Sequence, residues 1–560
     1  MKKNNLIKIG VGLFSVALLA GCSTTTNDKK DNSSGGSEKI AKTQDIKLTV
    51  AQEMPSADLS TATDTISFST LNNVYEGLYR IDAKNELQPA GAEEKAEISA
   101  DGLTYKLKLR KEAKWSNGDA VKASDYVFAW QRTVKPETAS EYASLFFGVE
   151  NAEAINSGKE KDLSKLGIKA VDDYTLEIKL AHPVPYMEYL FAFPSFFPQN
   201  EKVVTEKGAD YAKKSENAVY NGPFTLEEFD GPGTDTEWAY KKNPQYWDAK
   251  NVKLENASVS VVKDTSTGLN LFTAGKADDV MIAGEQAKQM ANDPAFQSVK
   301  EGRTSYFELN QYKGKNQKVY ANANFRKAVS YALDRKGLVE NVLGDGSVES
   351  TGIIPKDMSF DPKTKEDFAK EVGDQVEFDK KKAQEYWEKA QKELGIKEVS
   401  MNIIASDNDD TKKVMEKMQA DIQDALKGVK VELSPVPFAV RLDRSNSGDF
   451  DTVLGGWGAD YADPSSFTDL FVTGNSYNRG HWSNAEYDKL VEASNTTDAT
   501  DAEKRWDDMK KATDILVKDE MGVIPVFQKA EGHLINPKIK GIVHYATGPS
   551  WCYKWAYVTE

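Results

Sequence analysis

Two cysteines and four histidines in 560 residues leave little material for several kinds of chemistry. Cys22 and Cys552 are too few for a disulfide framework, so stability has to come from large apolar cores. His182, His481, His533 and His544 show neither metal-ligand spacing nor the paired arrangement of a zinc protease. No glycine–serine–glycine elbow and no phosphate-binding loop occurs. Asp407, Asn408, Asp409 and Asp410 begin like a calcium loop but lack its sixth-position glycine and closing glutamate, so they read as a capped helix start. Beyond residue 22 no apolar run is long enough to cross a bilayer. These absences remove the common nucleophilic and metal-dependent enzymes and leave only a carboxylate pair assembled from distant parts of the chain.

What is present begins at the first residue. Lys2, Lys3 and Lys8 precede an apolar stretch from Val11 to Leu19, closed by Leu19-Ala20-Gly21-Cys22. The stretch is short for a spanning helix and has the form of a secretory signal. It resembles a bacterial lipoprotein signal, which implies a signal peptide over 1–21 and a lipid-bearing N-terminus at Cys22. Residues 22–45 are then a polar, flexible linker, with no aromatic side chain to bury. Of 72 basic residues, loss of Lys2, Lys3 and Lys8 leaves 69 against 87 acidic, a net charge of −18. A surface this acidic repels phosphate backbones, so nucleic acid is not an expected partner.

The length suits two or three domains. Leu103, Tyr105, Leu107 and Leu109 alternate with Thr104, Lys106 and Lys108, and Tyr174, Leu176, Ile178 and Leu180 repeat the pattern, so both segments read as strands. Val414, Met415, Met418, Ile422 and Leu426 form a helical stripe that Gly428 can end. Met401–Ala405 before it and Val429, Val431 and Leu433 after it complete a strand–helix–strand unit with parallel strands. A second helix is expected from Asp379 to Leu394, stopping at Gly395. The fold class is α/β, with composition shifts near residues 200 and 305. Trp457-Gly458-Ala459-Asp460-Tyr461 stands apart from the other aromatic clusters. With Gly455 and Gly456 it combines rings, glycines and a carboxylate after an apolar strand, a set suited to close backbone approach and to a desolvated ammonium.

Eight motifs follow in order: Val74-Tyr75-Glu76-Gly77-Leu78; Trp115-Ser116-Asn117-Gly118 with Asp125 and Trp130-Gln131-Arg132; Thr138 to Ser144; Pro183-Val184-Pro185-Tyr186; Asn221-Gly222-Pro223; Asn243-Pro244-Gln245-Tyr246-Trp247-Asp248; Ala332-Leu333-Asp334-Arg335; and Gly456 to Tyr461. In this order the chain resembles the oligopeptide-binding lipoproteins of ABC peptide importers, the family 5 extracellular solute-binding proteins. The resemblance implies a periplasmic-binding-protein fold of two hinged lobes plus an additional domain. Lobe I would comprise 46–76, 199–305 and 530–560, the additional domain 77–198, and lobe III 306–529. It also implies a monomer, held at the outer face of a cell membrane by its lipid, that binds an oligopeptide and passes it to ABC permease subunits without a cofactor, a metal or catalysis.

By the same resemblance Asp460 meets the ligand's α-ammonium, and Gly456 and Gly458 pair with its backbone. Thr63, Asp64 and Thr65 would form the opposing backbone segment, Tyr142 would contact the ligand, and Trp457, Phe438 and Tyr461 would line or flank side-chain pockets. Where relatives that measure short peptides place cationic or imidazole groups for the terminal carboxylate, this chain has Leu454, Ser445 and Thr411, with Arg444 adjacent as a substitute. The expected ligand is therefore a peptide longer than about five residues with its amine fixed. Rival readings keep the fold for a dipeptide or non-peptide solute, make the protein a peptide-pheromone receptor, or, more remotely, make it a secreted hydrolase.

Overall fold

Alternation of apolar residues builds one large mixed sheet, and two of its strands run through both halves of the molecule. The structure is a computed structural model that describes residues 39–560, so the signal and Cys22 lie outside the described residues. The sheet has eleven strands: β1 (Asp45–Val50), β2 (Phe224–Glu227), β3 (Glu237–Lys242), β4 (Asn256–Val261), β5 (Asp279–Ile282), β6 (Phe296–Leu309), β7 (Val348–Glu349), β8 (Val399–Ser406), β9 (Val429–Val436), β10 (Thr452–Gly458) and β11 (Ile524–Ile535). Their order is β9-β8-β10-β6-β11-β5-β1-β4-β3-β2, with β7 on β11. β8 and β9 are parallel and joined by the helix Asp409–Ala425, as the alternation and stripe predict. That helix buries Val414, Met415, Met418 and Ile422 and is capped by Asn408. It ends three residues before Gly428, whose φ of +94° turns the chain into β9. The helix Lys380–Leu394 lies between an Asp379 cap and a left-handed Gly395.

β6 and β11 make the junction between the halves. From Phe296 to Lys300, β6 pairs with β11 between Leu534 and Ala530; the register then slips, and Thr304 resumes opposite Gln528. Past the slip β6 gains β10 as a second neighbour, while the far end of β11 pairs with β5. Each long strand thus serves one half-sheet at one end and the other half-sheet at the other, with an irregular step at Glu301, Gly302 and Arg303. A step where pairing breaks is where a sheet bends at least cost. The expected lobe boundaries at 305/306 and 529/530 fall within these two strands.

Residues 77–198 carry a separate four-stranded sheet that includes Thr104–Lys108 and Thr175–Lys179. Its link to the main sheet uses the sequence motifs. Arg132 makes a two-pronged ion pair with Asp58 (2.7 and 2.6 Å) across the boundary, while inside the domain the Trp130 indole donates to the Phe196 carbonyl. Asp125 accepts from Trp115 and from the Lys122 amide at the start of its helix. Three further motifs converge on one buried carboxylate. Glu76 pairs with Arg80 at 3.1 Å and accepts from Tyr246 and Trp247, while Asn221 holds the Glu76 backbone from both sides. Gly222 completes the joint, because a Cβ there would lie 2.6 Å from the backbone of Val74 and Tyr75. Cys552 is fully buried, with the Arg80 guanidinium 3.8 Å from its sulfur.

Removing one partner of a buried ion pair strands the other charge, at about 3–5 kcal/mol. Glu76→Leu should therefore lower the unfolding free energy by about that amount, read as a lower urea midpoint. An unchanged midpoint would contradict this description of the joint.

Candidate functional site

β10 carries the site because one of its edges runs out of partners. Its β6 edge is paired from Thr452 to Gly458, but β8 pairs with it only at Thr452 and Val453. From Leu454 to Gly458 the second edge has no strand beside it among the described residues. Gly456 is explained by the paired edge, since a Cβ there would lie 2.9 Å from the Thr304 carbonyl oxygen. Gly458 faces the other half of the molecule: its missing Cβ would lie 3.8 Å from Cγ2 of Thr65. Between the halves is a cleft open to solvent, with a cavity of about 220 Å³ inside it. Thr65 and Phe438 line it, as do Gly455, Arg303, Arg441 and Trp551.

Beyond the strand the chain is pinned to the step between the lobes. The Ala459 amide donates to the Gly302 carbonyl (2.8 Å), and the Ala459 carbonyl accepts from Gly548 (2.7 Å). This fixes Asp460 beside the junction, where its own amide donates to Ser466 Oγ (2.9 Å). Tyr142 Oη donates to Asp460 Oδ1 at 3.1 Å. The Tyr142 ring stacks between Phe193 (5.6 Å) and Trp457 (6.0 Å), while Phe68 (5.0 Å) and Tyr477 (5.7 Å) meet it edge-on. Four rings from separate segments thus fix Tyr142, which in turn holds a half-buried carboxylate that no cation pairs with among the described residues. Desolvation at this place raises the Asp460 pKa to about 8, and the Tyr142 hydroxyl offsets the rise only in part.

The remaining designated residues take different places. Asp64 caps the helix Thr65–Val74, its Oδ1 accepting from Ile66 and Ser67, while its buried Oδ2 has no partner. Burial raises its pKa to about 6. Thr63 is half-buried just before this cap, and Tyr461 stacks flat on Tyr186 at 4.1 Å. Arg444 is not free to act in the cleft, because its Nε donates to the Asp449 carbonyl and pairs with the Asp449 carboxylate. The guanidinium groups on the cavity wall belong to Arg441, one turn earlier, and Arg303. Helical spacing from Phe438 would have pointed to Arg441, since residues 438, 441, 442 and 445 form the buried face of that helix.

The comparisons with known proteins agree with this architecture. Residues 86–479 match the family model for bacterial extracellular solute-binding proteins, family 5. The chain belongs to that family. The dipeptide-binding protein of Lactococcus lactis subsp. cremoris is 35% identical over 98% of this chain and 99% of its own length. Among solved structures, Listeria monocytogenes OppA bound to peptide is 42% identical, with a TM-score of 0.89 over 93% of this chain and all of that one. The pheromone receptor PrgZ is 40% identical, with a TM-score of 0.88 over 92% of this chain and all of its own. The family 5 member described here thus has the periplasmic-binding-protein fold: hinged lobes with an additional domain.

Asp460 costs the ligand-free protein stability as pH rises, because the unfolded chain gives up this proton near pH 4 and the folded chain holds it to about 8. Asp460→Asn should melt at a higher temperature than the wild type at pH 8 without ligand, and the gap should close toward pH 4. A variant that melts lower at pH 8 would contradict the assigned burial.

Proposed function

We propose that the protein is a receptor that captures oligopeptides by their free N-terminus in the cleft between its lobes and hands them to an ABC import permease. The observation that carries this reading is Asp460, a carboxylate bonded by Tyr142 and paired with no cation among the described residues, set at the end of an unpaired strand edge. An α-ammonium supplies the missing charge. An extended peptide beside Leu454–Gly458 satisfies the open edge through its main chain, whatever its side chains. Closure of the lobes about the step at Glu301–Arg303 buries the ligand and gives the permease a shape to read.

The relatives named as dipeptide-binding, peptide-bound and pheromone-receptor proteins support a peptide ligand, and food and signal peptides present the same amine. The protein releases its ligand intact, as transport receptors do. The site is built for an amine and an extended backbone, not for positioning water at a peptide bond. The lipoprotein-like signal supports attachment through lipid on Cys22 at the outer face of the cell membrane.

Calorimetric titration with a peptide and with its N-acetyl form tests the reading. The free amine should bind, and acetylation or Asp460→Ala should each weaken binding by about 2–5 kcal/mol. Equal affinity for the two forms would overturn it.

A further inference from the structure

Resting on the reading above, we propose that Lys263 and Asp407 form an electrostatic latch across the mouth of the cleft, which holds the lobes closed and sets how fast the ligand leaves. The latch joins the two half-sheets. β1 and β4 are parallel neighbours in one half, and each chain runs on past its paired end, β1 to Glu53 and β4 to Lys263. β8 belongs to the other half and runs on past Ser406 to Asp407. Lys263 Nζ lies 2.8 Å from Glu53 Oε1 on its own side of the cleft. On the far side it donates to both carboxylate oxygens of Asp407, at 3.0 and 3.2 Å. The Asp409 amide also donates to the Lys263 carbonyl (3.3 Å), so backbone as well as side chain crosses the gap.

The contact lies on the rim of the cleft. Lys263 lines the cavity together with Ser406, Asn408 and Gly455, yet its side chain is 29% exposed. Beside it the halves touch once more. The Gly233 amide donates to the Met54 carbonyl (2.7 Å), next to Glu53 in the chain. Gly233 comes so near the helix Phe438–Asn446 that a Cβ on it would lie 2.8 Å from Cβ of Ala439. The Lys413 and Asp264 charges also attract each other across the same gap.

The two carboxylates that hold Lys263 are not equivalent. The Glu53 side chain is only 12% exposed, its Oε2 is buried without a hydrogen-bond partner, and Lys263 is the one cation it pairs with among the described residues. Asp407 is 26% exposed and returns to water when the halves part. Glu53 therefore keeps Lys263 in place whether the lobes are closed or open, and opening breaks only the pair to Asp407. A partly exposed pair of this kind contributes modestly. The latch thus slows release without locking the cleft, and because it touches no part of the ligand's recognition by Asp460, it acts on every peptide alike.

The test loads full-length protein with a fluorescent octapeptide that has a free N-terminus and displaces it with unlabelled peptide in stopped flow. Asp407→Ala should raise the dissociation rate about two- to tenfold and leave the association rate unchanged. Asp407→Lys, which makes the contact repulsive, should raise the dissociation rate further. Added salt should speed release from the wild type more than from Asp407→Ala, because only the wild type has the pair to screen. Equal dissociation rates in the wild type and both variants, or a salt response that Asp407→Ala leaves unchanged, would overturn the latch. Should Asp407→Lys not fold, Asp407→Ala alone decides. Should the wild type bind no octapeptide, the receptor reading itself fails, and small-angle scattering of the ligand-free proteins decides the latch. Asp407→Lys should then have a larger radius of gyration than the wild type, and equal radii would overturn it.

Discussion

A carboxylate buried without a cation is costly, and water would normally claim it. Asp460 is half-buried, and the Tyr142 hydroxyl that bonds it is fixed by rings from the helix Thr65–Val74, from the additional domain and from the segment after β10. It is held beside the step between the lobes by the bonds of Ala459 to Gly302 and Gly548. The unfavourable charge is tolerable because the large cores and the Glu76 joint supply stability elsewhere. It is useful because a ligand that brings a positive charge recovers the cost as binding free energy. In the proposed complex the open edge of β10 takes up the backbone that follows that charge.

The long strands β6 and β11 connect this local chemistry to a global change. They belong to both half-sheets and lose regular pairing at the same level, Glu301 to Arg303. That level also contributes Arg303 to the cavity wall and the Gly302 carbonyl to the Asp460 loop. The cavity wall and the bend between lobes therefore share residues, and in the proposed receptor filling the cleft biases the hinge.

Much of the local structure was legible in the sequence, and much of the assembly was not. The strand–helix–strand unit at 399–436 and the helix ending at Gly395 follow from alternation, stripe and caps. The continuity of one sheet through both lobes does not, since β6 and β11 are far apart in sequence and their pairing depends on everything folded between them. Most of the aligned motifs proved to be joints. Glu76, Asn221, Tyr246 and Trp247 hold one another, and Arg132 docks the additional domain through Asp58. In the candidate site, the chain's own glycine–aromatic–carboxylate cluster pointed to Trp457 and Asp460, and the family resemblance pointed to Tyr142. Phe68, Phe193 and Tyr477 escaped notice because an aromatic side chain in a separate segment reads as ordinary core. The attention given to Arg444 instead of Arg441 shows the same limit. Adjacency in sequence suggested one residue, whereas helical geometry turns the other into the cleft.

The most direct measurement of the central claim is the number of protons released when a peptide binds at pH 7, obtained by calorimetry in buffers of different ionisation enthalpy. Asp460 is protonated there in the free protein and must ionise to meet an ammonium. Release of close to one proton per peptide is expected, falling to none in Asp460→Asn. Binding without proton release in the wild type would show that Asp460 is not the group that receives the amine.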